Sequence, residues 1–126
     1  MAKPGRGARM KGANFERELA KLLTDKTTLT FKRGIGQSRF GGKEIADVYS
    51  DQLPTIHIEA KRQIKCNIKK AMEQALGDIN ETQIPIVITK DDRAETLVTM
   101  RFDEWVSFLN AWIAECSSTK PSKTKS

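Results

Sequence analysis

The sequence predicts a single α/β domain in which helices flank both faces of a mixed sheet of four or five strands. Three observations lead to this prediction. Apolar residues recur at helical spacing in three segments, shorter β-type segments lie between the helical ones, and Gly, Pro and Asp residues typical of turns separate them. The length of 126 residues, with 38% apolar and 30% charged residues, suits one globular core.

The expected order is α-β-β-β-α-β-β-α. In chain order, the elements are a helix over 13–25, a strand over 29–33, a loop over 34–42, strands over 45–50 and 55–62, a helix over 68–79, strands over 86–89 and 96–100, and a helix over 103–115. The first helix is predicted because Phe15, Leu19 and Leu23 recur at helical spacing and share one face. The segment after it is rich in threonine and aromatic residues, and the glycines of 34–42 predict an irregular loop.

The turn residues 51–54 predict that the next two strands form an antiparallel hairpin. In the second half of the chain, Asn67 is a candidate N-cap for the second helix. Pro85 opens a buried strand at the one position where a ladder tolerates proline. The last helix begins from Asp103 and carries an apolar stripe that predicts either a core or a dimer contact. Its stripe consists of Trp105, Phe108, Leu109, Trp112 and Ile113.

Positive charge is concentrated at the two ends of the chain. Residues 1–12 and 117–126 carry seven of the 22 basic residues and no acidic residue, so the body between them is nearly neutral. We expect a flexible basic N-terminal arm over 1–12, a folded domain over 13–116 and a disordered basic tail over 117–126. Such arms suit a polyanion, whose bound counterions they release, although they also suit tails that only keep a protein soluble.

The spacing of the cysteines and the lack of a long apolar run argue against several classes of protein. Cys66 and Cys116 have no CxxC partner and His57 is the single histidine, so neither a disulfide framework nor a zinc site is expected. No apolar run approaches the roughly 20 residues of a membrane helix, and the N-terminus lacks the apolar stretch of a signal peptide. We therefore expect no membrane partner and a cytoplasmic location, which for a viral protein is the cytoplasm of the host cell.

The hairpin carries the residues that point to chemistry. Strand alternation sends Ile58 and Ala60 to one face and Glu59 and Lys61 to the other. A turn centred on residue 53 sets Asp47 directly opposite Glu59, with the two Cβ atoms roughly 5 Å apart. Like charges in that position destabilise a sheet, so a cation is expected between them.

Oxygen ligands of this kind suit Mg²⁺, and the backbone carbonyl of Ala60 offers a further one. A metal ion with a neighbouring lysine is the equipment of phosphodiester hydrolysis. The alternative is a surface hairpin whose Glu59 and Lys61 are merely solvated. That alternative is weakened by Asp47, and by a basic run that begins at the site and is able to follow a phosphate backbone: Lys61, Arg62, Lys65, Lys69 and Lys70.

Four segments together resemble a known family. They are Lys11-Gly-Ala-Asn-Phe-Glu-Arg-Glu-Leu19, Arg33 before a glycine/serine loop, Ala46-Asp-Val48 and Ile58-Glu-Ala-Lys61. In this order they resemble the archaeal-type Holliday junction resolvase branch of the PD-(D/E)xK nucleases. The resemblance covers residues 11 to about 80 and implies a restriction-endonuclease-like core.

The resemblance also implies roles for individual residues. It places Glu16 in the active site and among the metal ligands, although an acid near a helix N-terminus is also favoured by the helix dipole alone. It implies that Mg²⁺ is the cofactor, with Mn²⁺ as a substitute. The residues expected to contact DNA are Arg17, Arg33, Ser38, Arg39, Arg62 and Lys65.

The sequence therefore predicts a metal-dependent, structure-selective DNA endonuclease, a homodimer that makes paired nicks across a four-way junction. Its catalytic residues are expected to be Glu16, Asp47, Glu59 and Lys61. A near alternative is a nuclease of the same type that acts on flaps, single strands or duplex DNA. An alternative of another class is a non-catalytic DNA-binding module that uses its basic arms as a clamp.

Overall fold

The computed structural model of the chain describes residues 6–35, 39–40 and 43–118, which form a mixed sheet with flanking helices. The predicted α/β class is confirmed. The elements are α1 (Arg6–Lys26), β1 (Lys32–Arg33), β2 (Arg39–Phe40), β3 (Lys43–Glu44), β4 (Val48–Tyr49), β5 (Ile56–Gln63), α2 (Ile68–Asp78), β6 (Ile84–Asp91), β7 (Leu97–Met100) and α3 (Phe102–Ser118).

The main sheet has the strand order β1-β4-β5-β6-β7. All its neighbours run antiparallel except β5 and β6, which pair in parallel over eight residues, from Ile56↔Ile84 to Gln63↔Asp91. Parallel neighbours need a crossover, and α2 supplies it. The hairpin of β4 and β5 pairs Val48 with Ile58, which is the register that a turn centred on residue 53 predicts.

Several predicted boundaries were wrong. Helix α1 begins at Arg6 rather than Ala13, so residues 6–12 are helical where a flexible arm was expected. Strands were expected over 29–33 and 45–50, but β1 and β4 have only two residues each. The segment 34–42 was expected to be an irregular loop, but its residues Arg39 and Phe40 form β2, which pairs with β3 just after that segment. Glycine content alone did not reveal this pair, because each of its strands has only two residues.

Helix α1 covers one face of the sheet. Its residues Phe15, Leu19 and Ala20 are buried against Ile58 and Ile88, together with Val48, Ala60 and Ile86. Helix α2 packs on β5 and β6 and buries Ala71 and Ala75. Because side chains alternate along β5, this second helix covers the face that carries Glu59.

Gly34 packs closely against the segment that precedes β4. A Cβ atom on Gly34 would lie 1.9 Å from the backbone oxygen of Ala46. The Gly34 N–H donates to the Asp47 carbonyl at 2.7 Å. The backbone of Gly34 therefore lies directly against the segment that presents Asp47.

Helix α3 buries none of its residues. Phe102 is 72% exposed and Trp112 is 66% exposed, and Trp105, Phe108 and Ile113 are also exposed. Its apolar stripe is thus not part of the core of the described chain, so the predicted core contact was wrong, and the dimer contact stays a prediction. None of the described helices has the length and apolar character of a membrane span.

Candidate active site

A cleft opens where β4 ends and β5 continues. β4 has only two residues, whereas β5 runs on from Ile58 to Gln63, so this stretch of β5 has no strand on the β4 side. The cleft has a volume of about 640 Å³. It is lined by residues of α1, β5, α2 and the segments that adjoin β4 and β5: Lys11, Gly12, Glu16, Asp47, Glu59, Ala60, Lys61, Arg62, Gln63, Ile64, Lys65 and Gln74.

Asp47 lies immediately beyond the last ladder pair of β4. Its backbone N–H donates to the Ile58 carbonyl at 3.0 Å, and its carboxylate Oδ2 accepts from the Ala60 N–H at 2.9 Å. The predicted cross-strand pair of Asp47 with Glu59 is therefore not part of the ladder. At the unpaired edge of β5, the carboxylate of Asp47 takes the place of a backbone carbonyl and accepts the Ala60 N–H.

Ala60 presents its backbone to the same side. Within a strand, the N–H and C=O groups of one residue point to the same neighbour, and residues two apart point the same way. Ile58 already offers its carbonyl to Asp47, so the Ala60 carbonyl also faces the β4 side. Ala60 is one of the cleft-lining residues, and the role of its carbonyl as a metal ligand stays a prediction.

Glu59 and Lys61 project from the same face of β5. The Glu59 side chain is only 3% exposed, and its Oε2 lies 3.5 Å from Nζ of Lys61. The lysine side chain is 28% exposed, so its ammonium group borders solvent. This pair places a buried carboxylate beneath a more accessible cation.

Glu16 reaches the cleft from α1, on the other side of the open edge. Its Oε1 accepts a hydrogen bond from Nε of Arg33 at 2.8 Å. The predicted DNA contact Arg33 is thus engaged by the predicted active-site acid Glu16 in this structure. The ion pair holds Glu16 in the cleft and leaves Arg33 about one-third exposed.

Burial and neighbouring charges both act on Asp47. The pKa of Asp47 is raised from 3.8 to about 7, mainly because the side chain is buried. The charge of Glu59 raises this pKa further and that of Glu16 adds a smaller effect, while the Ala60 N–H and the Lys61 ammonium lower it. The ionised form of Asp47 is therefore disfavoured in the cleft.

The three predicted acidic ligands do not converge on one point. Among the described residues, the oxygens of Glu16, Asp47 and Glu59 do not all lie within 4.8 Å of one another. Arg33 holds one of them and the Ala60 N–H holds another. Closing them around an ion requires these contacts to lengthen or exchange.

The predicted DNA contacts have different environments. Arg17 is exposed on α1 and donates to Asn14 at 2.8 Å, while Arg62 pairs with Asp92. Lys65 lines the cleft. Ser38 and the side chain of Arg39 lie outside the described residues.

Two features of the cleft were missed from the sequence. Gln74 lines it from α2, although the sequence did not place this residue in the site. Lys11 lies at the opposite side and pairs with Asp92 at 3.2 Å. The lysine and arginine that hold Asp92 lower the pKa of that carboxyl.

Comparison with known proteins relates the chain to a family. The model of a family described as "Phage putative PDDEXK endonuclease" matches residues 7–122. No curated protein and no solved structure matches the chain.

Proposed function

The chain belongs to the phage PDDEXK endonuclease family, and from this premise we propose that it is a Mg²⁺-dependent endonuclease that resolves four-way DNA junctions. Membership supports a nuclease of the PD-(D/E)xK type rather than one particular branch of that superfamily. The observation that carries the proposal is the cleft at the open edge of β5, where Asp47, Glu59 and Lys61 meet.

The donors in this cleft fit a hard divalent cation. Asp47 and Glu59 supply carboxylate oxygens, and the Ala60 carbonyl supplies a third oxygen of the kind that Mg²⁺ accepts. The charges of Glu59 and Glu16 add to burial in raising the pKa of Asp47, and a bound cation would offset all three effects. In this proposal Asp47, Glu59 and the Ala60 carbonyl hold the ion, and Glu16 completes the acidic cluster. A bound Mg²⁺ would lower the pKa of a water molecule and neutralise charge on the scissile phosphate.

Lys61 is the residue we assign to the attacking water. Its ammonium group lies at the solvent side of Glu59, so it is able to donate a hydrogen bond to a water or a phosphate oxygen in the cleft. An oriented water forms a bond to phosphorus while the bond to the 3′ oxygen breaks, which leaves 5′-phosphate and 3′-hydroxyl ends. Positioning of this kind contributes much of the rate of such reactions.

Glu16 and Arg33 act as a pair in this scheme. With the ion absent, the Arg33 guanidinium neutralises Glu16. When Glu16 turns toward a metal, the guanidinium becomes available to a phosphate, which it is suited to bind through two donors. Metal binding and DNA binding are then expected to reinforce each other.

Cations at the rim suit the DNA backbone. Lys11, Arg62 and Lys65 line the cleft, and the first two share Asp92 as their acid. Contacts of this type position a nucleic acid without reading its sequence. They are consistent with a substrate that is chosen by its shape.

A dimer is the simplest way to make two nicks in opposite strands. The exposed apolar stripe of α3 is the surface that we assign to it. Large exposed apolar patches typically mark an interaction site. We call this stripe, formed by Phe102, Trp105, Phe108, Trp112 and Ile113, the α3 surface.

One assay separates the proposal from its alternatives. Labelled four-way junction and linear duplex are incubated with the protein in Mg²⁺ or EDTA, alongside Asp47→Asn and Glu59→Gln. Glu73→Gln, an exposed residue of α2, is the matched control. Magnesium-dependent paired nicking of the junction by the wild type and control, lost in both site variants, is the expected result.

Other outcomes point to the alternatives. Equal cleavage of linear duplex would indicate a general nuclease of the same type. Tight junction binding without cleavage, unchanged in both site variants, would indicate the non-catalytic DNA-binding module.

A further inference from the structure

The single histidine of the chain is buried without a hydrogen-bond partner for one of its nitrogens. His57 lies on β5, is 1% exposed, and its Nε2 makes no hydrogen bond with the described residues. A buried polar nitrogen without a partner costs free energy, so such an atom calls for an explanation. One explanation is a bound group that takes the lone pair of the nitrogen.

Two acidic residues lie near this histidine. Nε2 of His57 lies 3.8 Å from Oε1 of Glu59, which is too long for a hydrogen bond. One ligand atom each of His57, Glu59 and Asp78 lie within 4.8 Å of one another, and no other group of three such side chains among the described residues is as compact. Ligands of a metal at about 2.1 Å are at most about 4.2 Å apart, so small side-chain movements would close this group.

The positions of the three side chains follow from the strand and the helix that carry them. His57 and Glu59 are two residues apart on β5 and therefore share a face. Asp78 is the last residue of α2, which packs on that face. A carboxylate is disfavoured at a helix C-terminus, where the helix dipole is negative, and α2 has no basic residue in its last turn. A bound cation would offset this repulsion.

We propose that His57, Glu59 and Asp78 form a second metal site that takes a transition-metal cation of the Zn²⁺ and Co²⁺ type. Imidazole favours such ions over Mg²⁺, and three protein ligands with an open position are typical of zinc sites with a bound water. The expectation that the chain has no zinc site considered only Cys and His spacing, which does not detect a ligand set with one histidine and two carboxylates.

This site is separate from the Mg²⁺ cleft but shares one residue with it. Glu59 directs Oε1 toward His57 and Oε2 toward Lys61. Asp47 is not a member of the second group. His57 lines a different cavity, of about 480 Å³, together with Tyr49, Ser50 and Asn80. An ion there would join β5 to the end of α2 and fix the orientation of Glu59.

The test removes the cleft site first, so that it does not depend on the proposed nuclease activity. All proteins carry Asp47→Asn, together with Cys116→Ser to remove an exposed thiol. Into this background are placed Asp78→Asn, His57→Gln, or the control Glu73→Gln. Co²⁺ is titrated while its visible absorption is recorded, and the thermal midpoint is measured with and without Zn²⁺.

The expected result is one Co²⁺ bound per chain in the background and control proteins, with affinity at least ~10-fold lower in Asp78→Asn. Zn²⁺ is expected to raise the thermal midpoint of the first two proteins and not of Asp78→Asn. If His57→Gln fails to fold, the Asp78→Asn variant alone tests the proposal. This variant is expected to fold, because the Asp78 side chain is only partly buried.

Two results would overturn the proposal. One is Co²⁺ affinity that Asp78→Asn leaves unchanged. The other is the absence of Co²⁺ binding in the background protein, combined with a lower thermal midpoint in metal-free Asp78→Asn. That pattern would identify the three side chains as an ion-pair cluster without a metal.

Discussion

The carboxylate of Asp47 accepts a hydrogen bond from the backbone N–H of Ala60 at 2.9 Å, across the gap that opens beyond the last pair of β4 and β5. This contact ties an acidic side chain to the unpaired edge of the strand that carries Glu59 and Lys61. The Ala60 N–H stabilises the charge of this carboxylate, but not enough to offset burial and the charge of Glu59.

The charge of Asp47 is expected to destabilise the metal-free protein. Its folded pKa of about 7 lies above the unfolded value of 3.8, so the folded state holds the proton more tightly. The stabilising effect of that proton is complete below pH 4 and is lost as the pH rises to about 7. At pH 8 in EDTA, Asp47→Asn should therefore be more stable than the wild type by a few kcal/mol at most, since a pKa difference of one is worth about 1.4 kcal/mol.

Denaturant unfolding at pH 5 and pH 8 in EDTA measures this difference. The gap between variant and wild type should widen with pH and narrow when Mg²⁺ is added, because the ion stabilises only the protein that binds it. A gap that is the same at both pH values would contradict the raised pKa.

Loss of the Lys61 ammonium is expected to remove cleavage and spare folding. Lys61→Ala should lower the single-turnover rate of junction cleavage by ~10²-fold or more, the range for a group that assists proton transfer. Junction affinity should fall much less, since other cations line the cleft. Lys69→Ala, in the same basic run but outside the cleft, is the control and should cleave normally. Equal rates for the two variants would remove Lys61 from the mechanism.

A methyl group at Gly34 is expected to displace the segment before β4. Its Cβ would lie 1.9 Å from the Ala46 carbonyl oxygen, so the backbone has to move. Gly34→Ala should lower the free energy of unfolding by roughly 2 kcal/mol or more, as strain of this kind does. It should also reduce cleavage, because the moved segment carries Asp47.

Gly77→Ala is the comparison for this variant. Its added Cβ meets nothing within 4 Å in α2, and replacing a helical glycine with alanine stabilises by roughly 0.5–1 kcal/mol. Chemical denaturation of both variants measures the contrast. If Gly34→Ala is as stable as Gly77→Ala, then the close approach to Ala46 does not constrain the fold.

A charge in the α3 surface is expected to separate the proposed dimer. Trp105→Glu should convert a dimer to a monomer in light scattering and uncouple the two nicks, so that singly nicked junction accumulates. Asn110→Glu adds the same charge to an exposed position of α3 without removing an apolar side chain. It should remain dimeric. A monomeric wild type would contradict this assignment directly.

The sequence indicated the hairpin and its register well, because strand alternation and a short turn determine both locally. It did not reveal that the ladder stops at Val48↔Ile58, because that depends on how β4 diverges from β5. The ion pair of Glu16 with Arg33 links a helix to a strand 17 residues away, and only the packed arrangement brings them together. Periodicity indicates which side chains share a face of one helix or strand. It does not indicate which other element that face packs against.

The same limit explains the other errors. Asp78 approaches His57 only because α2 crosses over between two parallel strands. Gln74 lies off the apolar stripe of α2 yet borders the cleft, since the rim of a cleft is made by residues beside the buried face. The stripe of α3 correctly predicted a helix, but an apolar stripe does not specify whether its partner is the same chain.

The parallel pairing of β5 with β6 has a consequence for how the protein is made. The strand that bears Glu59 and Lys61 acquires its eight-residue neighbour only after the crossover helix and the segment up to Asp91 have left the ribosome. A shorter nascent chain would leave that strand bare on both borders at this point. The cleft formed by Asp47, Glu59 and Lys61 would therefore be completed only after the chain has been made as far as β6.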